Sequence, residues 1–268
     1  MDTRKLLEKL DSPLVSQYLF HPRSQYSSPI PPTGQDMTIP ANDGILLGAR
    51  MYLADKESHN ILFFHGNGEI AADYDDIGPM YTAIGISFLV MDYRGYGASQ
   101  GSPSVSSMLV DAQTIFDHVW SWLKREGRTK SLWIMGRSLG SASALEIAAS
   151  RQPEISGLII ESGFARVVPL LRTIGVNTLS MGLTNELDPV GNLDKMAVCN
   201  KPTLVIHAEH DHIIPLSHGE DLHRICPAQS KQFFMAPGAN HNDIMFRAGK
   251  KYFSVIRSFL DENSAIGK

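Results

Sequence analysis

The apolar positions of this chain follow two alternating spacings, which predict strands that alternate with helices. Short apolar runs with polar boundaries are typical of buried strands, whereas apolar residues three and four positions apart indicate a helix. Strands are predicted at 36–41, 45–53, 60–64, 86–92, 131–135, 157–161, 202–207 and 232–235, and helices at 69–84, 105–126, 141–149, 215–225 and 248–260. We therefore expect an α/β fold with a mainly parallel central sheet of about eight strands and helices on both faces. The first two strands, joined by the turn at residues 42–44, are expected to form an antiparallel edge.

Two regions depart from this alternation. Residues 1–35 are predicted to be an N-terminal extension of one domain that spans residues 36–268. The apolar residues of the extension either pack on that domain or form an amphipathic segment that covers a site or touches a membrane. Residues 165–193 are rich in Val, Leu, Ile and Met and lie between two strands. They form either a core helix with a linker or a small lid over an apolar substrate. As a lid, they would contact the substrate through Leu170, Leu171 and Ile174.

Composition and charge exclude several classes of protein. The chain has 268 residues, of which 43% are hydrophobic, and its net charge is −4. It has no basic tract of the kind that binds nucleic acid, and its apolar runs are shorter than the ~18 residues that span a bilayer. The N-terminus lacks the apolar core of a secretory signal, and Cys199 and Cys226 have no disulfide or metal spacing. A cytoplasmic protein with reduced cysteines is expected, and peripheral contact with a membrane is left open.

The segment Gly136-Arg137-Ser138-Leu139-Gly140 carries the strongest chemical signal in the sequence. It follows the predicted strand 131–135 and precedes the predicted helix 141–149. A G-x-S-x-G sequence between a strand and a helix is typical of a nucleophile elbow, in which a strained turn presents the serine. The two glycines allow the strand and the helix to approach closely. Ser138 is therefore predicted to be a nucleophile beside a helix N-terminus, which stabilises developing negative charge.

Asp211 and His241 are predicted to activate Ser138. A serine hydroxyl needs a base that takes its proton and a third group that orients the base. Asp211 and His241 each lie in a loop that follows a predicted strand, and the order serine, acid, histidine along the chain is that of one particular fold. Glu161 and Glu209 are alternative acids, because both lie close to strand ends near the same position.

Two backbone N–H groups are predicted to stabilise the oxyanion that forms when the serine attacks. Leu139, directly after the nucleophile, supplies one of them. The other is expected from the loop after strand 60–64, where Asn67 is the candidate. Each donor of this kind stabilises a transition state by roughly 3–4 kcal/mol.

The sequence resembles the α/β-hydrolase fold family over nearly its whole length. His65-Gly66 looks like the oxyanion motif of that family, and Asp92–Ser99 looks like its structural turn after the fourth strand. Within the family it is most similar to the lipid-linked serine hydrolases that include protein depalmitoylases. The similar segments are 92–99, 136–140, 217–219, 224–227 and 238–244. The depalmitoylases carry a palmitoylated N-terminal cysteine cluster, whereas this chain has no cysteine before Cys199, so anchoring by acylation is not expected.

The resemblance and the predicted triad together imply a serine hydrolase. It would cleave carboxylic esters or thioesters through an acyl-enzyme and would need no cofactor. The substrate would be a small ester or thioester, or an acylated protein. A metal site is not expected, because the histidines between residues 207 and 223 lack an accompanying ligand set of fixed geometry.

The glycines of Gly66-Asn67-Gly68 allow a different interpretation, a dinucleotide-binding protein of the Rossmann type. They match G-x-G-x-x-A between a strand and a helix, and Asp92 lies where such a domain has its ribose-binding acid. Two antiparallel strands before this segment argue against that interpretation, as does His65, and it leaves the predicted triad unexplained. A catalytically inert binding protein on the α/β-hydrolase fold is the other alternative.

Overall fold

Eight strands form one mainly parallel sheet in the computed structural model, which describes residues 3–25, 30–184 and 188–264. The strands are β1 Gly34–Pro40, β2 Leu46–Tyr52, β3 His59–Phe64, β4 Ile86–Met91, β5 Leu132–Arg137, β6 Gly157–Glu161, β7 Thr203–Ala208 and β8 Lys231–Ala236. Their order across the sheet is β1-β2-β4-β3-β5-β6-β7-β8. Strand β1 pairs antiparallel with β2, and β2 pairs antiparallel with β4. All other pairs are parallel. The predicted α/β fold with its antiparallel edge is confirmed.

The direction of the strand order changes at β3. Strand β4, the next along the chain, lies on one side of β3, and β5 lies on the other. The loops that leave the carboxyl ends of β3 and β5 therefore diverge to opposite faces of the sheet. A crevice at such a switch point is where open α/β sheets bind ligands.

The helices differ from the predicted ones in several places. They are α1 Thr3–Leu10, α2 Pro13–Leu19, α3 Gly78–Ala83, α4 Val105–Arg125, α5 Ser141–Ser150, α6 Val167–Thr173, α7 Asn192–Ala197, α8 Leu216–Ile225, α9 Ile244–Ala248 and α10 Lys250–Ser264. The predicted helix 69–84 is divided into a 3-10 turn and α3. Pro79 has no backbone N–H to donate within a helix, so it lies in the first turn of α3, where none is needed. The predicted helix 248–260 extends in both directions and is divided at Gly249, whose φ is +52°. Helix α7 was not predicted.

Alternate residues of the central strands face two separate apolar cores. On β3, Leu62 and Phe64 pack with helices α4 and α5, whereas Ile61 and Phe63 pack with α3 and α10. All four side chains are at most 1% exposed. A strand that is buried on both faces consists of a continuous run of apolar residues. Such runs identified β3, β4 and β6 from the sequence alone.

The described part of the predicted N-terminal extension packs on the sheet domain. Leu10 and Val15 are completely buried in the same apolar cluster as α4 and α5. Lys9 Nζ donates a hydrogen bond to the carbonyl of Met181 at 2.8 Å, and Arg23 forms an ion pair with Asp73. Residues 1–2 and 26–29 of the extension lie outside the described residues, and the boundary at residue 35 stays a prediction.

The predicted lid at 165–193 contains α6 and the first residues of α7. Residues 185–187 lie outside the described part of the chain. Leu171, predicted to contact substrate, is completely buried in the core, whereas Leu179 is 74% exposed. Within the residues that the structure describes, none of the helices combines the length and the apolar character needed to cross a bilayer.

Replacing Leu10 by Ala tests whether the N-terminal helices belong to the cooperative fold. Its side chain is completely buried, so we expect the free energy of unfolding to fall by about 2–5 kcal/mol. Leu14, four residues on and 51% exposed, is the matched control, and Leu14→Ala should change stability by less than about 0.5 kcal/mol. Urea unfolding followed by circular dichroism measures both. Equal effects of the two substitutions would show that the extension folds separately from the sheet.

Candidate active site

The turn between β5 and α5 holds Ser138 in a left-handed backbone conformation. Its φ is +51°, and residues Ser138–Gly140 form a single 3-10 turn before α5 begins. A Cβ atom on Gly136 would collide with the carbonyl oxygen of Gly140, and one on Gly140 would collide with the carbonyl oxygen of Phe64. The two glycines therefore allow the turn to pack directly against the end of β3, and the strained serine lies at the switch point of the sheet.

Ser138, His241 and Asp211 form a continuous line of hydrogen bonds. Ser138 Oγ lies 2.9 Å from His241 Nε2, and His241 Nδ1 lies 2.8 Å from Asp211 Oδ2. The other carboxylate oxygen, Oδ1, accepts hydrogen bonds from the backbone N–H groups of Ile213 at 3.0 Å and Ile214 at 2.8 Å. All three side chains belong to buried residues. The structure thus brings together the three residues that chain order predicted.

The carboxyl of Asp211 is held in its charged form. Burial by itself would raise its pKa, but the hydrogen bond and charge of His241 and the backbone N–H of Ile214 outweigh burial and lower the pKa below its ordinary value. A carboxylate can only accept hydrogen bonds, so the proton on the ring of His241 lies on Nδ1. Nε2 is then free to accept the proton of the Ser138 hydroxyl.

The two alternative acids, Glu161 and Glu209, form hydrogen bonds with groups other than His241. Glu161, at the end of β6, accepts hydrogen bonds from Arg137 Nε at 3.2 Å and from the hydroxyl of Tyr252. Glu209 accepts a hydrogen bond from the backbone N–H of Gly238 at 2.7 Å. Within the described residues, neither carboxylate makes a hydrogen bond to His241.

The two residues predicted to stabilise an oxyanion both lie beside Ser138. Leu139 is in the first turn that precedes α5, where a backbone N–H has no intrahelical acceptor. The side chain of Asn67 is held by two hydrogen bonds to Oδ1, from the backbone N–H of His21 at 2.9 Å and from the hydroxyl of Tyr96 at 2.7 Å. Asn67 and Leu139 line the same cavity as Ser138.

This cavity has a volume of about 380 Å³ and walls from six separate segments. Its lining residues are Tyr18, Leu19, His21, Asn67, Arg137, Ser138, Leu139, Leu170, Ile174, Ile213, Ile214, His241 and Asn242. Leu170 from α6 and Ile174, directly after this helix, belong to the wall, and the role of the segment as a lid stays a prediction. Leu171 does not line the cavity and is completely buried in the core.

Sequence analysis missed the contribution of the N-terminal segment to this cavity. Tyr18, Leu19 and His21 line it, although they are more than 100 residues from Ser138 along the chain. The amphipathic pattern of the extension was the available signal, and covering a site was one of its interpretations. Ile213 and Ile214 were also missed, although their position directly after Asp211 could have identified them.

The surroundings of Gly66-Asn67-Gly68 disfavour dinucleotide binding. The backbone N–H of Gly66 donates a hydrogen bond to Glu69 Oε2 at 2.7 Å, so a carboxylate occupies the position that a diphosphate would need. Asp92 is 1% exposed, and its carboxylate accepts from the backbone N–H groups of Ala71 at 2.8 Å and Ala98 at 3.2 Å. Asp92 therefore stabilises two loops and is not available to a ribose.

Comparison with known proteins points to one group of hydrolases. The family model described as "Serine aminopeptidase, S33" matches residues 55–192. Protein bem46 of Schizosaccharomyces pombe is 30% identical over 210 residues, which cover 76% of this chain and 67% of that protein. An uncharacterized membrane protein of Saccharomyces cerevisiae is 30% identical over 240 residues, or 87% of this chain and 81% of that protein. The solved structure of the esterase Pf2001 from Pyrococcus furiosus has a TM-score of 0.71 at 17% identity and covers 91% of this chain and 99% of its own, a likeness of fold.

Proposed function

Since the chain belongs to the serine aminopeptidase S33 family of hydrolases and has the α/β-hydrolase fold, we propose that it cleaves carboxylic esters or thioesters through a Ser-His-Asp triad. The observation that carries this proposal is the line of hydrogen bonds from Ser138 through His241 to Asp211 at the base of a half-apolar cavity. The strained φ of Ser138 supports it, because such strain clusters at functional sites.

The reaction proceeds in two stages through an acyl-enzyme. His241 Nε2 takes the proton of Ser138 as Oγ attacks the substrate carbonyl, and the backbone N–H groups of Leu139 and Asn67 stabilise the oxyanion. His241 then donates that proton to the leaving alcohol or thiol as its bond to the acyl carbon breaks. Water, deprotonated by His241, attacks the acyl-enzyme and releases the acid, and the proton returns to Ser138. Asp211 orients the imidazole and stabilises its charged form throughout.

The charge of the cavity favours an ester or thioester over the N-terminus of a peptide. An aminopeptidase has to bind a substrate ammonium group, for which a carboxylate is the natural partner. Among the described residues that line the cavity, none is Asp or Glu, and Arg137 already pairs with Glu69 and Glu161. A neutral acyl group against Leu170, Ile174 and Ile213 fits these walls better.

The acyl group is expected to be short or of medium length, because the cavity is modest in size. A small-molecule ester or thioester fits this proposal, and so does a protein that carries an acyl group of that length. No cofactor takes part in the proposed mechanism. The cytoplasmic location stays a prediction.

Substitution of the triad tests the proposal directly. Ser138→Ala should abolish hydrolysis of p-nitrophenyl esters and labelling by a fluorophosphonate probe, with an unchanged circular dichroism spectrum. Asp211→Asn should lower kcat by about 10³–10⁴-fold, because the amide favours the wrong tautomer of His241, and weak labelling should persist. Glu161→Gln and Glu209→Gln are the matched controls. A larger loss for Glu161→Gln than for Asp211→Asn would reject Asp211 as the acid.

The pH dependence of kcat/KM should follow a histidine base. Imidazole ordinarily titrates near pH 6.5 and has to be neutral to accept the serine proton, so activity should rise from mildly acidic pH to a plateau at neutral or slightly alkaline pH. The pKa of Asp211 is lowered, so this carboxylate stays charged throughout the rise and adds no second step to it. An optimum below about pH 5 would contradict a histidine base.

The wall formed by α6 should set the preference for acyl chain length. Each buried CH₂ is worth up to about 0.8 kcal/mol, so kcat/KM should rise by up to about fourfold per added carbon until the cavity is full. Ile174→Asp should weaken octanoate esters far more than acetate esters. Leu179→Asp, an exposed site on the same segment, should change neither. Equal losses for acetate and octanoate in Ile174→Asp would show that α6 does not hold the acyl chain.

A further inference from the structure

Arg137, the residue before the proposed nucleophile, is a largely buried cation that contacts two loops and the end of a strand. Its side chain is 13% exposed. Nη1 forms an ion pair with Glu69, and Nε lies 3.2 Å from Glu161 Oε1. Nη2 donates hydrogen bonds to the backbone carbonyl of His241 at 2.8 Å and to Asn242 Oδ1 at 3.3 Å. One guanidinium therefore joins the loop after β3, the end of β6 and the loop of the proposed base.

On one side, Arg137 holds the loop that contains Asn67 in place through Glu69. Glu69 Oε2 accepts hydrogen bonds from the backbone N–H of Gly66 and from the hydroxyl of Tyr74, both at 2.7 Å. Burial alone would raise the pKa of Glu69, but the positive charge of Arg137 outweighs it and lowers the pKa. The charged carboxylate thus connects the guanidinium to the backbone one residue before Asn67.

On the other side, Arg137 holds the backbone of His241 itself. The hydrogen bond to the His241 carbonyl and the contact with the next side chain, Asn242, fix the loop from which the imidazole projects. Glu161 contributes a second carboxyl to the guanidinium and is held in turn by the hydroxyl of Tyr252. A positive charge surrounded in this way is stabilised in the interior, where a lone cation would not be.

We propose that Arg137 is a positioning residue that keeps the His241 loop and the Asn67 loop in register with Ser138. This inference rests on the proposed function. The rigid, planar fork of a guanidinium can bind a carboxylate and a carbonyl at the same time in fixed directions, whereas a lysine ammonium is a point charge on a flexible stem. Arg137 does not touch the reacting atoms in this mechanism. It acts through the two loops, so its removal should slow the chemical step and leave substrate binding almost unchanged.

Arg137→Lys tests the proposal, with Arg50→Lys as the matched control. Arg50 is also buried and also pairs with two carboxylates, Asp36 and Asp75, but it lies on β2, outside the proposed site. For Arg137→Lys we expect kcat to fall by about 10- to 100-fold, as misplacement of catalytic groups by an ångström commonly causes. KM should stay within about twofold. The loss should be the same for acetate and octanoate esters, and Arg50→Lys should keep kcat within about twofold even where its Tm falls equally.

A second variant tests the positioning role of Arg137 if Arg137→Lys fails to fold. Glu69→Gln keeps the shape of the side chain but removes its charge, so it weakens the link between Arg137 and the Asn67 loop; kcat should fall by about 3- to 10-fold with KM unchanged. A folded Arg137→Lys that retains kcat within twofold would overturn the positioning role, and so would an equal loss of kcat in Arg50→Lys. If Arg137→Lys does not fold, an unchanged kcat in Glu69→Gln would also overturn it. Absence of ester hydrolysis and of probe labelling in the unmodified protein would instead reject the proposed function.

Discussion

The close packing of the turn after β5 against the end of β3 is the constraint on which the rest of the site depends. Gly136 and Gly140 have no space for a side chain, because backbone carbonyls lie where a Cβ would be. This contact carries Ser138 to the loop that contains Asn67, and it forces φ of Ser138 to +51°. Backbone strain of this kind costs about 1–3 kcal/mol, which the buried strands on either side of β5 offset.

The same turn determines where charge is buried. Ser138 and the preceding residue, Arg137, both line the cavity, and the guanidinium of Arg137 pairs with Glu69 and Glu161. Two acids then surround one guanidinium, and the hydroxyl of Tyr252 binds the second acid. Glu161 is consequently engaged by Arg137 and not by the imidazole of His241, and this leaves Asp211 as the orienting acid in the proposed triad.

The local sequence was sufficient to predict most strands and helices and to identify the residues of the proposed triad. Strand β3 and helix α4 were predicted because their spacing of apolar residues directly reflects burial. Ser138 was predicted because a strained turn between a strand and a helix requires small neighbours, and that requirement is visible within five residues. Asp211 and His241 followed from chain order, since the loops after parallel strands meet at one edge of the sheet.

Only the tertiary structure decided which segments complete the site. Leu170 and Leu171 are adjacent in sequence and both are buried in the same apolar core, yet only Leu170 of the two also lines the cavity, because neighbouring residues of a helix point in different directions. The segment around Tyr18 reaches the cavity through packing against residues that are distant along the chain, and its amphipathic pattern by itself left open what the segment covers. The partners of Arg137 come from two loops and the end of β6, which are far apart along the chain. The sequence by itself therefore determined the fold class and the residues of the proposed triad, and long-range packing decided how those residues are enclosed and positioned.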